Sequence, residues 1–225
     1  MLELYAIVAA ILAFDGLLLV GLVWAFHAPR FRSRRIEPDW VMKVPRGARI
    51  RNVVTSSLLS LVTVLGVIYV LYERLFSVGP TPLWQSALRV VGVFLVYDFA
   101  YYFLHRGMHH KKLMRFVHGV HHRARNPSAL ESFYLHPIEL LAGLALLFGA
   151  TWVVGPLHIH AFAVVFFVYT TLNILVHAGL RFRHWLLAPI DFLTRKHHVH
   201  HFDDFGKNYA SLTPLPDLLF RSASR

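Results

Sequence analysis

Cysteine is absent from the 225-residue chain. Its absence excludes disulfides and thiolate metal sites, so any bound metal must be held by nitrogen or oxygen. Acidic residues are scarce, 12 Asp and Glu against 23 Lys and Arg, which leaves a formal charge of +11. Strand-like alternation is weak and no solenoid-length repeat is present, which argues against β and repeat architectures. A basic n-region ahead of the first apolar run is also missing; Glu3 stands there instead, and no cleavage pattern follows the run. That run is therefore expected to be a retained anchor and not a signal peptide.

What the chain has in excess is apolar surface: 56% of its residues are hydrophobic. Apolar stretches of about twenty residues recur, enough to cross a hydrocarbon core of about 30 Å at about 1.5 Å per helical residue. The expected fold class is all-α, a polytopic membrane protein with about four to five apolar helices and a helical domain at the cytoplasmic face. In so apolar a chain, Lys and Arg mark the cytoplasmic side and its anionic lipids, and a nucleic-acid partner is not expected.

The spans read as Tyr5 to Phe26, Val53 to Tyr72, Leu83 to Leu104, Ile138 to Val154 and Ile159 to Val176. The last two are joined by Gly155-Pro156 and are short enough for a hairpin that need not cross fully. Asp15 interrupts the first span; with no partner pattern beside it, a helix-packing or polar-contact role is expected. Arg30, Arg32, Arg34, Arg35, Lys43, Arg46, Arg49 and Arg51 crowd a segment broken by Pro29, Pro38 and Pro45. It reads as a cytoplasmic loop with short interfacial helices. Arg106, Lys111, Lys112, Arg115, Arg123 and Arg125 follow the third span, and Arg181, Arg183, Arg195, Lys196 and Lys207 follow the fifth. The positive-inside rule then puts the N-terminus outside and the C-terminus inside. Residues 1–97 read as membrane spans with the basic loop, and residues 98–225 as a second, histidine-rich domain.

Histidine is the second excess: 16 in all, with 12 of them between His105 and His122 or between His177 and His201. Residues three or four apart share a helix face. His105 with His109, His118 with His121 and His122, and His197 with His200 and His201 therefore read as three sets, each projecting together. Asp98 and Tyr102 precede His105 on roughly the same face, where they could hydrogen-bond ligand imidazoles. Imidazole suits iron, zinc, copper or nickel, and so many exceed the needs of one ion. Converging imidazoles could not all stay charged, since two unit charges at about 4 Å repel by about 4 kcal/mol at an effective dielectric of about 20. They need a shared cation. His27, His110, His158, His160 and His184 stand alone and read as ordinary surface residues.

These boxes, H-x-x-x-H at His105 and His109 and H-x-x-H-H at His118–His122 and at His197–His201, resemble those of the fatty acid hydroxylase/sterol desaturase superfamily. The likeness extends between them: Asp98, Tyr102, His105 and Arg106; His136, Pro137 and Glu139; Asn173, His177 and Gly179; and Asn208, Tyr209, Asp217, Leu219 and Phe220. Pro216 and Arg221 stand where family members commonly carry Trp and Gly. The resemblance implies a non-haem di-iron centre at the cytoplasmic membrane face, with O2 as co-substrate, attacking a lipid C–H bond. Carried over, His105, His109, His118, His121, His122, His197, His200 and His201 would be ligands, and His177 a ninth. His198 is off the spacing and is left out. Asp98, Tyr102, His136, Glu139, Asn173, Asp203, Asp204 and Asn208 would support the ligands. No H-P-G-G haem motif is present, so electrons would come from a separate cytochrome b5-like, ferredoxin-like or NAD(P)H-reductase partner.

The expected reaction is hydroxylation of a fatty acyl, sterol or related lipid. Desaturation on the same centre is its chemical rival. A non-catalytic membrane metal-binding or transport protein is the rival from another class, disfavoured because the histidines gather at one membrane edge and mid-span acids are few. Zinc-dependent hydrolysis is disfavoured by the lack of a carboxylate ligand.

Overall fold

The structure, a computed structural model, describes residues 1–38 and 44–224; Lys43, counted above in the basic loop, lies outside the described residues. Five long helices dominate: α1 (Leu2–His27), α2 (Arg46–Leu75), α3 (Leu83–Met108), α5 (Pro137–Val154) and α6 (Ile159–Val176). Each is long and apolar enough to cross a membrane. The connections carry two two-residue strands, β1 (Phe76–Ser77) and β2 (Leu157–His158), and three shorter helices, α4 (Lys111–Leu113), α7 (Ala188–Phe202) and α8 (Leu215–Leu219). α4 runs on into a π-turn over Met114–His118, and one 3-10 turn covers His121–Arg123.

α5 and α6 form the inner pair: 39% of each apolar window is buried, against 11% for α1. α3 and α2 pack on α5, and α1 packs on α6. The core fills the end of the bundle away from the histidines, with Leu4, Ile68, Leu75, Leu147, Leu157, Phe162 and Phe166. There β1 pairs in parallel with β2, Phe76 opposite Leu157 and Ser77 opposite His158. The Met1 ammonium donates to Tyr72 Oη at the same end, at 2.9 Å. Because β2 joins α5 to α6, that strand pair fixes the α5–α6 turn at the far end. Both helices therefore run from that end of the bundle to the histidine end.

At the opposite end α1, α3 and α6 finish and α2 and α5 begin. All the clustered histidines lie at this end, with most of the basic residues. One sequence boundary moves. α2 starts at Arg46, not Val53, so Arg46, Arg49 and Arg51 sit on its first turns instead of in a loop. Tertiary contacts hold that extension: Arg49 pairs with Glu131 at 3.4 Å, and the Asn52 amide donates to the Leu135 carbonyl at 3.1 Å.

A candidate metal centre

Nine histidine side chains converge at the basic end of the bundle in two groups. His105, His109, His118, His122 and His200 form one; His121, His177, His197 and His201 form the other. The groups cut across the boxes read from the sequence. Within α7, His197 and His201 are four residues apart and share a face, while His200 turns to the other group. Past α4 the chain leaves the α-helix, and the π and 3-10 turns aim His118 and His122 one way and His121 the other. The expectation that each box projects as a unit is corrected accordingly.

In the first group Nε2 atoms meet: His105 with His118 at 3.0 Å, His109 with His118 at 3.1 Å, His122 with His118 at 2.9 Å, and His109 with His200 at 3.1 Å. In the second, His177 Nε2 lies 2.8 Å from His197 Nε2 and 3.2 Å from His121 Nε2, and His201 Nε2 lies 3.0 Å from His121 Nε2.

The outer nitrogens decide what these contacts are. His105 Nδ1–H donates to the Tyr209 carbonyl (2.7 Å), and His118 Nδ1–H to Glu139 Oε1 (2.8 Å). His200 Nδ1–H donates to the Lys207 carbonyl at 2.6 Å. In the second group His121 donates to the Tyr134 carbonyl (3.2 Å), His177 to that of Asn173 (2.7 Å) and His201 to that of Ala124 (3.1 Å). A neutral imidazole that gives its proton through Nδ1 keeps only a lone pair on Nε2. The short Nε2–Nε2 contacts among these residues are therefore lone pair against lone pair, repulsive unless a cation lies between.

Nitrogens about 2.1 Å from one ion and at right angles to each other are about 3 Å apart, so the spacing fits first-row metal coordination. Neutrality fits as well. Burial holds His109 down to about 3 and His118 and His177 down to about 4. Burial first, and then neighbouring imidazoles, push His121, His122, His197, His200 and His201 below their ordinary value. The donor set suits two metal ions.

A fatty acid hydroxylase profile matches residues 90–222. The chain belongs to the fatty acid hydroxylase family. Relatives include methylsterol monooxygenase 1 of Rattus norvegicus, 32% identical over 145 residues, covering 62% of this chain and 48% of that protein. Very-long-chain aldehyde decarbonylase GL1-11 of Oryza sativa subsp. japonica is 33% identical over 153 residues, covering 63% and 54%. Methylsterol monooxygenase 2-2 of Arabidopsis thaliana is 30% identical over 151 residues, covering 63% and 54%. The chain spans about half the length of these curated relatives. No solved structure matches it.

In this fatty acid hydroxylase family member the expected supporting residues divide. Glu139 touches a clustered imidazole directly, and Asn173 does so through its backbone carbonyl. Asp98 and Tyr102 do not. Asp98 accepts from the amides of Ser211, Leu212 and Thr213 and from Thr213 Oγ1. Tyr102 Oη pairs with Ser222 Oγ at 2.9 Å and accepts from Arg106. Both pin the C-terminal loop to α3, which in turn presents the Tyr209 carbonyl to His105. Asn208 works the same way, bridging the Lys196 carbonyl and Ser224. His136 caps α5, its Nδ1 accepting from the Ile138 amide. Asp204 accepts from the Gly206 amide, and no bond from Asp203 to an imidazole is present among the described residues. His198 is buried with both ring nitrogens unpartnered and stacks on Phe202.

Five carbonyls that hold the rings, from Ala124, Tyr134, Asn173, Lys207 and Tyr209, escaped the sequence reading as acceptors. A backbone acceptor leaves no residue-type signal. Beneath the histidines a cavity of about 340 Å³ runs between α1, α2, α3, α5 and α6, lined by Leu12, Leu61, Leu140 and Phe166 and by His105, His121 and His177. A second, of about 30 Å³, touches His105, His177 and His197 beside Lys196.

Proposed function

We propose that this chain is an O2-dependent lipid hydroxylase whose nine clustered histidines hold two iron ions. His105, His109, His118, His122 and His200 would ligate one ion, and His121, His177, His197 and His201 the other. The observation that carries the reading is the larger cavity, because its lining joins apolar residues of five helices to histidines of both clusters. A C–H bond of a lipid drawn in from the bilayer would lie against both ions at once. Bound iron would supply the activation of O2 for attack on that bond, which zinc cannot supply.

The chain's own contribution is positioning and exclusion. Carbonyls and Glu139 fix the ring tautomers, so the Nε2 lone pairs face inward before metal arrives. The apolar wall excludes water from the reacting carbon. The smaller cavity has room for about one or two waters beside His105, His177 and His197. The basic residues around the histidines support a cytoplasmic orientation for this end and a separate electron donor arriving there. The relatives' names make sterols and long-chain aldehydes the first lipids to try.

The test is iron-loaded protein in membranes with a reductant, lipid extract and isotopically labelled O2. The expected product gains one labelled oxygen. A product that has lost two hydrogens without label would make the chain a desaturase, and metal-loaded protein giving no O2-dependent product would overturn the reading. His121→Ala should abolish product while leaving membrane insertion intact.

A further inference from the structure

The lining of the larger cavity carries an acid that the histidine clusters do not use. Asp15 lies midway along α1 and is 4% exposed. Its Oδ1 accepts from Thr171 Oγ1 of α6 at 2.7 Å. This is the helix-packing contact the sequence led one to expect, and it occupies one oxygen. Oδ2 is also buried and has no hydrogen-bond partner among the described residues. A buried, unsatisfied carboxyl oxygen on a cavity wall, far from bulk water, calls for a polar group from whatever fills the cavity.

We infer that Asp15 is the receptor for a hydroxyl group on the lipid that occupies the cavity, an assignment that rests on the substrate reading above. A hydroxyl can donate to Oδ2, which an ether or a hydrocarbon chain cannot do. Ser57, Ser60 and Thr170 add further hydroxyls to the lining, and among the described residues no Lys or Arg lines the cavity to neutralise a carboxylate or phosphate head. Thr171 precedes His177 by six residues, about 9 Å along α6. The carbon presented to the histidines is therefore several bonds from the anchored hydroxyl. α1 lies outside residues 90–222, so this anchor belongs to the part of the chain beyond the shared family segment.

The test compares a long-chain primary alcohol with its methyl ether, using purified full-length protein in lipid nanodiscs and displacement of a fluorescent lipid. The alcohol should bind about tenfold more tightly than the ether, since the ether cannot donate to Oδ2. Asp15→Leu should erase the difference while the ether still binds. Equal binding of the two by wild type, or an unchanged preference in the variant, overturns the assignment; a long-chain amine outbinding the alcohol replaces the hydroxyl with a cation. A second measurement needs no variant: an alcohol carrying a diazirine beside its hydroxyl should label α1 or α6 around Asp15 and Thr171. Labelling confined to residues 105–122 or 197–209 overturns the anchor but leaves the lipid cavity standing. Failure of both lipids to enter at all overturns the cavity reading and the anchor with it.

Discussion

His121 and His122 are consecutive in the chain, yet their rings stand 5.8 Å apart at 80° and belong to different clusters. His200 and His201 repeat the relationship at 5.9 Å and 84°. Each pair is a strap between the clusters, so the spacing of the two sites is set by covalent geometry as well as by packing. Replacing one member should weaken one site and spare the other, more severely in the cluster with fewer nitrogens. His121→Ala leaves three nitrogens in its cluster, His122→Ala leaves four in its own. Metal analysis should find about one equivalent retained in His121→Ala and more than one in His122→Ala. Loss of both ions from either variant would mean that the clusters are not separable.

Glu139 is the one carboxylate bonded to a clustered imidazole among the described residues, through His118 Nδ1–H. His118 is the hub of its group, its Nε2 within 3.1 Å of three others. Glu139→Gln keeps an oxygen that can accept, so the loss should be modest. Glu139→Leu removes it and should weaken metal retention about 10- to 100-fold. Competition against a chelator, read as metal remaining on the protein, separates the two.

Asp191 anchors the start of α7, the helix that carries three of the ligand candidates. It accepts from Arg181 Nε and Nη2, from the Phe182 amide and from Arg195. Burial alone would raise its pKa, but these donors outweigh it and hold the carboxyl below its ordinary 3.8. With a depressed folded pKa, the stability it contributes is complete above the unfolded value and is lost as pH falls below 3.8 toward the folded one. Both arginines are more than a third exposed, so solvent screening limits the effect. Asp191→Asn should cost about 1–2 kcal/mol at pH 7. Thermal unfolding should find the gap to wild type closing as pH falls below 3.8.

Backbone conformation supplies a fourth prediction. Gly179 has φ +63, and a Cβ there would collide with the Pro127 carbonyl and the Phe26 ring. Gly179→Ala should therefore destabilise by more than about 2 kcal/mol and prise the end of α1 from the histidine loops. Arg221 has φ +57 without being glycine. Arg221→Gly should be neutral or mildly stabilising, whereas Arg221→Val should cost about 1–2 kcal/mol. Melting curves of the three variants test the order.

The spans and the histidines were legible because both are written in residue types: runs of apolar letters, and imidazoles at helical spacing. The way the histidines divide was not. It depends on a π-turn at Met114–His118 and a 3-10 turn at His121–Arg123, whose geometry no single residue announces. The roles of Asp98 and Tyr102 were misread for a related reason. Helical phase gives the direction in which a side chain leaves its helix, but their partners, Thr213 and Ser222, arrive from 115 and 120 residues away. The start of α2 was missed because hydrophobicity ends at Val53, while the helix continues on polar contacts to Glu131 and Leu135.

The division of ligands has a consequence for biosynthesis. As the chain grows, four of the five nitrogens of one cluster, from His105, His109, His118 and His122, are in place before α5 is made. The other cluster then has only His121, gains His177 after α6, and waits for α7 to bring His197 and His201. His200 of the first cluster also arrives with α7, so neither cluster has its full set of nitrogens until α7 docks, and that one helix completes both.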